Sequence, residues 1–309
     1  MTAGGRRVLI AGGTGYLGGR LALALAAEGW QVSVASRSLR AWPEGLVADF
    51  LPLELPAGAA LLRLEGFDSL VNLAAANELQ AAADPKRALA ITAEGAAALA
   101  AGAKAAGLRR FLQVSTIHVY GALAGRVTEA VPPQPVHPYG VAHLAAESAV
   151  LASGAAAAVL RLANVVGAPA STAIDRWTLL GNDLCRQAAV HGRLVLRSDG
   201  AAWRSFLPLS AALAAIRHLL DLPRPLPLCH LGGMAQPVRR LAERIAELAG
   251  GLPLQLGPPG GRRAEPFALD CSQLLSTGFR FDEALDPAIR ETLAFCRRHA
   301  AALAAEAGR

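Results

Sequence analysis

The stretch Arg7-Val8-Leu9-Ile10-Ala11-Gly12-Gly13-Thr14-Gly15-Tyr16-Leu17-Gly18 constrains this chain more than any other. A short apolar run enters a glycine-rich turn, and a long apolar helical pattern leaves it. Glycines at 12, 15 and 18 let the backbone turn tightly and come close to a ligand. The following helix aims its free N–H groups and the positive end of its dipole at that point, where a pyrophosphate is the natural guest. A purely structural turn would not need three glycines at this spacing. The strand before and the helix after give the pattern its dinucleotide-binding context. Gly12, Thr14, Gly15, Tyr16, Leu17 and Gly18 are therefore the first candidate ligand contacts.

The rest of the first half repeats this rhythm. Short apolar runs alternate with alanine-rich helical patterns, as in a parallel sheet covered by helices. Strands are expected at Val8–Ala11, Val32–Ala35, Ser69–Ala74, Phe111–Ser115 and Ala158–Ala163. Helices are expected at about Gly15–Glu28, Arg87–Ala106 and Tyr139–Ser153, with short helical stretches at Ala41 and Leu61–Glu65. The proline cluster at 131–138 can be neither helix nor inner strand, so it reads as a loop that delivers Tyr139 to a helix start. A second irregular zone runs from Gly167 to Arg176. Beyond it the pattern breaks into shorter, proline-rich pieces with one strong amphipathic helix, Val238–Leu248. The expected fold class is α/β, a Rossmann-type doubly wound parallel sheet over 1–165, rejoined by about 203–222. A smaller C-terminal α/β substrate lobe is expected mainly from 166–309, and 309 residues suffice for both. No internal repeat is visible.

Composition excludes several classes. Apolar residues make up 53% of the chain, but much of that is alanine, and no uncharged apolar run approaches the ~18 residues of a spanning helix. Met1-Thr2-Ala3-Gly4-Gly5 leads straight into the first strand, so no secretory leader is expected. The net charge of +6 comes almost wholly from arginine, with Lys86 and Lys104 the only lysines. These arginines are dispersed, which argues against a nucleic-acid surface. An anionic small-molecule substrate fits them, and so does a simple bias of base composition. Cys185, Cys229, Cys271 and Cys296 lie far apart without paired spacing, so neither a metal site nor a disulfide framework is expected, and a reducing cytoplasm is the expected compartment.

The end of the second strand bears on the ligand. In a dinucleotide fold it meets the adenosine ribose, where a carboxylate suits free hydroxyls and an arginine suits a 2′-phosphate. Here it reads Val34-Ala35-Ser36-Arg37, with no carboxylate. Ser36 can hydrogen-bond a phosphate and Arg37 can pair with it or stack on adenine, which favours NADP(H) and leaves NAD(H) possible. A solvent-facing arginine after a strand is the plainer alternative. Asp49-Phe50 follows another apolar run; it could offer a carboxylate to the adenine amino group or merely end a strand.

Three further segments complete a pattern. Asp68-Ser69-Leu70-Val71-Asn72-Leu73-Ala74-Ala75 ends a strand in small residues that leave room for a cofactor. Phe111 to Gly121 ends a strand in Ser115-Thr116-Ile117-His118-Val119-Tyr120-Gly121, and Tyr139-Gly140-Val141-Ala142-His143 starts a helix with positions 139 and 143 on one face. With the glycine loop, the chain resembles the extended short-chain dehydrogenase/reductase family in its nucleotide-sugar epimerase/dehydratase branch. The likeness continues through Arg161-Leu162-Ala163-Asn164-Val165-Val166-Gly167, Arg204-Ser205-Phe206, Asp270-Cys271-Ser272-Gln273-Leu274 and Gly278-Phe279.

The resemblance implies that Tyr139 is the catalytic acid/base and that Thr116 hydrogen-bonds the reacting oxygen. A phenol with a pKa near ~10 is a poor base at neutral pH unless its anion is stabilised. The family uses a lysine one helical turn later, which also binds the nicotinamide ribose. His143 stands there instead, shorter and mostly neutral at its reference pKa of ~6.5. Either it replaces lysine in a working enzyme, or the protein is a weakened or inactive nucleotide binder. The resemblance also places Asn164 and Asn182 at the sugar nucleotide, Arg204 at its diphosphate with Arg262 or Arg263 as a further contact, and Thr92 where the family has an asparagine.

The family's 4,6-dehydratases use Thr-Asp-Glu where this chain has Thr116-Ile117-His118, so the acid and base for eliminating water are absent. His118 could act as a substitute acid or pack under the proline loop. The Ser36-Arg37 pair favours a keto-sugar reductase, while the family background favours a 4-epimerase with bound NAD. A non-catalytic nicotinamide-nucleotide regulator is the third reading. The resemblance further implies a homodimer through the helices near 87–106 and 139–153.

Overall fold

Five apolar runs and two less obvious ones assemble into one parallel sheet in the computed structural model, which describes residues 6–39, 42–174, 176–259 and 265–307. The strands are β1 (Arg7–Ala11), β2 (Gln31–Ser36), β3 (Asp49–Pro52), β4 (Ser69–Asn72), β5 (Arg110–Thr116), β6 (Ala157–Leu162) and β7 (Leu228–Leu231). Their spatial order is β7-β6-β5-β4-β1-β2-β3, with every pair parallel. This is the Rossmann-type doubly wound arrangement. Leu9 pairs with Ser33 on one side and Leu70 on the other, so β1 sits where the winding reverses. A crevice opens beyond the C-terminal ends of strands at such a switch point.

The period of two along each strand splits the core between the faces of the sheet. Val8, Ile10, Val32, Val34, Val71, Leu112 and Leu160 pack with helices Tyr16–Ala27 and Leu209–Asp221. Leu9, Leu70, Phe111 and Val159 pack on the other face with helices Gly95–Ala105 and Pro138–Ala152. Burial on both faces explains why the strands read as continuous apolar runs. A third cluster joins Leu184, Phe206, Leu241, Ile245, Ile289 and Leu293 from helices Leu180–His191, Val238–Leu248 and Asp286–Arg298 and strand Trp203–Pro208.

Several expectations need correction. Asp49 opens β3 rather than ending a strand. The segment Leu228–Leu231, within the stretch assigned to the substrate lobe, adds β7 to the main sheet after helix Leu209–Asp221 crosses over. The short helical turn lies at Ala57–Leu61, one turn before Leu61–Glu65, because Pro56 with its fixed φ opens the turn there. The helical stretch expected at Ala41 falls outside the described residues. Within the expected helix 87–106, Ala90–Glu94 form a π-helical turn between Pro85–Leu89 and Gly95–Ala105. Thr92 in that turn accepts a hydrogen bond from the Ala76 N–H at 3.1 Å, which fixes the loop after β4.

Candidate active site

The crevice is a cavity of about 530 Å³. One wall is the glycine turn. Gly12 has φ +79°, and a Cβ there would lie 2.8 Å from the Ala74 nitrogen; a Cβ on Gly18 would lie 2.3 Å from the Gly12 carbonyl oxygen. Side chains are therefore excluded at both points, and the turn nests against Leu73-Ala74-Ala75 beyond β4. Gly15 caps helix Tyr16–Ala27 without any side-chain acceptor, so the first N–H groups of the helix are left for a ligand. Thr14, Gly15, Leu17 and Tyr16 also line the cavity. The Tyr16 hydroxyl donates to the Gly167 carbonyl at 2.9 Å, tying this wall to the segment after residue 166.

Ser36 and Arg37 reach the cavity at the end of β2. Thr14 Oγ1 and Ser36 Oγ lie 2.6 Å apart, so the serine is oriented by the glycine turn. Arg37 is exposed and has no carboxylate partner among the described residues. Asp49 and Phe50 do not reach the cavity. A parallel strand presents ligands at its C-terminal edge, and these two residues begin β3; Phe50 packs edge-on to Trp42, with ring centroids 6.2 Å apart. The carboxylate at this rim is Glu54, between the buried Leu53 and Leu55. Counting from the end of the run instead of its start would have found it.

At the opposite end, Pro138 and Tyr139 open helix Pro138–Ala152, and His137 Nδ1 accepts from the Tyr139 N–H at 3.1 Å. Thr116 ends β5, lies against the Tyr139 phenol, and accepts from the His118 N–H at 3.2 Å. His143 follows one turn after Tyr139, with ring centroids 4.5 Å apart. It is 4% exposed, and neither ring nitrogen has a hydrogen-bond partner. Burial drives its pKa down to about 4, so the ring is neutral. Tyr139 is half-buried, and removal from water followed by the nearby Glu78 carboxylate raises its pKa above the ordinary phenol value. His118 lines the cavity wall, with its ring 6.0 Å from Tyr139. Its pKa is lowered by burial first and by Arg204 second.

Two charged residues here escaped sequence reasoning. Glu78 begins helix Glu78–Ala83, and Arg176 precedes helix Leu180–His191. Arg176 bridges both Glu78 oxygens, at 2.9 and 3.3 Å, inside the cavity wall. The capping box formed by Asn77 and Gln80 was a readable signal for that helix start, but nothing in sequence pairs residues 98 apart.

The expected substrate contacts are only partly assembled. Asn164 lines the cavity, although its amide donates to the Ser205 carbonyl at 2.9 Å. Asn182 is buried away from the wall, where its Oδ1 accepts from the Gly167 N–H at 3.1 Å. Arg204 is exposed outside the wall, with its charge reaching Glu78 and His118. Arg262 and Arg263 lie outside the described residues. Behind the site, Glu147 on the helix of Tyr139 accepts from Ser115 and from Arg161, whose Nε lies 3.0 and 3.1 Å from the two carboxylate oxygens; Arg161 also donates to Tyr120.

Comparison with known proteins places the chain in a family and its fold among solved relatives. A family model described as the NAD dependent epimerase/dehydratase family matches residues 8–227. The chain is 32% identical over 297 residues to 2′-dehydrokanamycin reductase of Streptomyces kanamyceticus, covering 93% of this chain and 79% of that protein. It is 32% identical over 262 residues to dTDP-6-deoxy-L-talose 4-dehydrogenase (NAD(P)(+)) of Kitasatospora kifunensis, covering 79% of each. The structure of MoeE5 in complex with UDP-glucose and NAD superposes with a TM-score of 0.79 at 25% identity, covering 94% of this chain and 99% of that one. The fold of RMD from Pseudomonas aeruginosa complexed with NADPH superposes with a TM-score of 0.77 at 23% identity, covering 95% and 99%.

Proposed function

The chain belongs to the NAD dependent epimerase/dehydratase family and is an enzyme of the nicotinamide-dependent oxidoreductase type, and from that premise we propose that it reduces the carbonyl of a nucleotide-linked keto-sugar. The observation that carries the choice of direction is the state of Tyr139. Burial first and the Glu78 carboxylate second bias its phenol towards the protonated form, beside a neutral His143. A phenol in that state is loaded to donate a proton, which reduction of a carbonyl requires. An epimerase or an alcohol dehydrogenase needs the same group to accept one at neutral pH, which the Arg176 charge and the Thr116 hydroxyl favour, but against the larger opposing effects of burial and Glu78. Both relatives are named for net redox chemistry at a sugar, and neither is an epimerase or a dehydratase by name.

The residues present fit a nicotinamide dinucleotide. The glycine turn and the uncapped helix start would hold the pyrophosphate, and an orphaned ring nitrogen of His143 would take a ribose hydroxyl. Ser36 and Arg37 support NADP(H), which we take as the preferred coenzyme. Glu54 at the same rim would repel a 2′-phosphate and so moderates the preference. When bound, the coenzyme supplies the hydride. The chain's own part is to orient the carbonyl through the Thr116 hydroxyl and to pass the Tyr139 proton to the oxygen as negative charge develops there.

A second substrate reading has its own support. Asn182 is committed to the backbone and Arg204 stands off the wall, so two of the contacts a nucleotide diphosphate would use are not assembled. A keto-glycoside without a nucleotide would need neither, and one relative carries the name of such a compound's reductase. NADPH consumption measured against both substrate classes separates these readings, and Tyr139→Phe must slow it by about 10²–10⁴-fold. A loss smaller than about tenfold in Tyr139→Phe would sink the mechanism. We also assign residues 1–165 with 203–222 and the sheet strand Leu228–Leu231 to the coenzyme-binding part, and the rest of 166–309 mainly to the substrate. A cytoplasmic homodimer is proposed through the alanine-rich face of Ala97, Ala101, Ala105, Ala149 and Ala152, to be checked by sedimentation.

A further inference from the structure

Tyr139 has no cation one turn along its helix. The groups that face it come from several elements: Glu78 from helix Glu78–Ala83, Arg176 from the loop before residue 180, Thr116 and His118 from the end of β5 and the turn after it, and His137 and His143 from its own helix. Arg204 stands farther out and acts on Glu78 and His118. Among these, Glu78 and Arg176 are joined to each other by a two-point bridge within the cavity wall, and Tyr139 packs against Ala76 and Ala81, which flank Glu78 in the chain, so the two opposite charges are held on the side of the cavity where the phenol lies.

We propose that the Glu78–Arg176 pair is the electrostatic control of Tyr139: Arg176 stands in for the lysine of the related motif, and Glu78 restrains it. Both are positioning residues, acting through the phenol. While the bridge is closed the carboxylate outweighs the guanidinium, and the phenol keeps its proton. Withdrawing the carboxylate's charge leaves the guanidinium unopposed, which favours the phenolate. The pair thereby biases the site towards proton donation, so this inference rests on the reading of Tyr139 as the proton donor.

The test is the alkaline absorbance titration of tyrosinate in the protein without coenzyme. The chain has three tyrosines, so Tyr139 is isolated as the difference between each variant and the same variant carrying Tyr139→Phe. Glu78→Gln is expected to lower the Tyr139 transition by about one unit or more. Adding Arg176→Gln should reverse that shift, whereas adding Arg176→Lys should largely preserve it. The double variants also control for misfolding, because a merely structural loss would not reverse when a second residue is removed. An unchanged transition in Glu78→Gln overturns the proposal, and so does a shift that survives Arg176→Gln. Either result removes Glu78 from the account of the phenol but leaves burial, its larger cause, and the reductase reading is judged separately by NADPH consumption.

Discussion

A phenol enclosed in a protein parts with its proton only towards a stronger or better stabilised base, and Tyr139 is arranged for that one act. Replacing it with Phe should lower kcat by about 10²–10⁴-fold while leaving the coenzyme Kd nearly unchanged, as measured by single-turnover kinetics and fluorescence titration. His143 adds a second expectation. With its pKa pushed down to about 4, the ring does not titrate near neutrality, so kcat for reduction should be level from pH 6 to pH 8. An inflection near pH 6.5 that vanishes in His143→Gln would show the ring charging during turnover and would contradict the neutral assignment. Tyr139, Thr116 and His143 stand at a helix start and a strand end that the family resemblance singles out, and the fold brings all three to the cavity. Glu78 and Arg176 were not, because their contact exists only once the loop before residue 180 folds over helix Glu78–Ala83.

At the scale of elements, the site depends on what happens at the C-terminal edges of strands. β2 ends at Ser36, one residue past the expected Val32–Ala35, with Arg37 directly after it, and Arg37→Ala should weaken NADPH binding by about 10–100-fold with little effect on NADH, the loss of one charge-assisted contact. Equal loss for both coenzymes would mean that Arg37 does not read the 2′-phosphate. β3 was harder to place. Its four residues carry only Phe50 and Leu51 as large apolar side chains, and the apolar Leu46-Val47-Ala48 run lies in the loop before it, so that Asp49 looks like the end of a strand when it is the start of one. Asn182 looked like a substrate contact until the fold turned its amide towards the Gly167 backbone. The helix of Tyr139 is anchored by Glu147 to Arg161, a pair with side chains only 3% and 4% exposed. Glu147→Gln strands the guanidinium in the interior and should cost about 3–5 kcal/mol in chemical denaturation, since an unpaired buried charge is expensive. A loss below ~1 kcal/mol would show that water reaches the site.

For the whole molecule, burial of two neutral histidines links stability to acidity. His143 and His230 both have pKa values pushed down to about 4, chiefly by burial. The unfolded chain therefore binds more protons than the folded one between about pH 6.5 and 4, so the stability these groups support is fully present above that window and falls as pH falls through it. The midpoint of thermal unfolding should drop across this range, and His143→Gln should flatten part of the drop. The alternation of apolar runs and alanine-rich helices made the doubly wound sheet readable, yet β7 was missed because it follows a long excursion from the sheet. The central claim is that this site delivers one proton to match one hydride in a net reduction. Incubating the protein with NADPH deuterated at C4 and a keto-sugar nucleotide, then locating the label by NMR, tests it most directly. The account predicts one deuterium at the new carbinol carbon, NADPH consumed mole for mole, and neither with Tyr139→Phe; coenzyme bound but unconsumed, or epimers interconverted without net oxidation of NADPH, would contradict it.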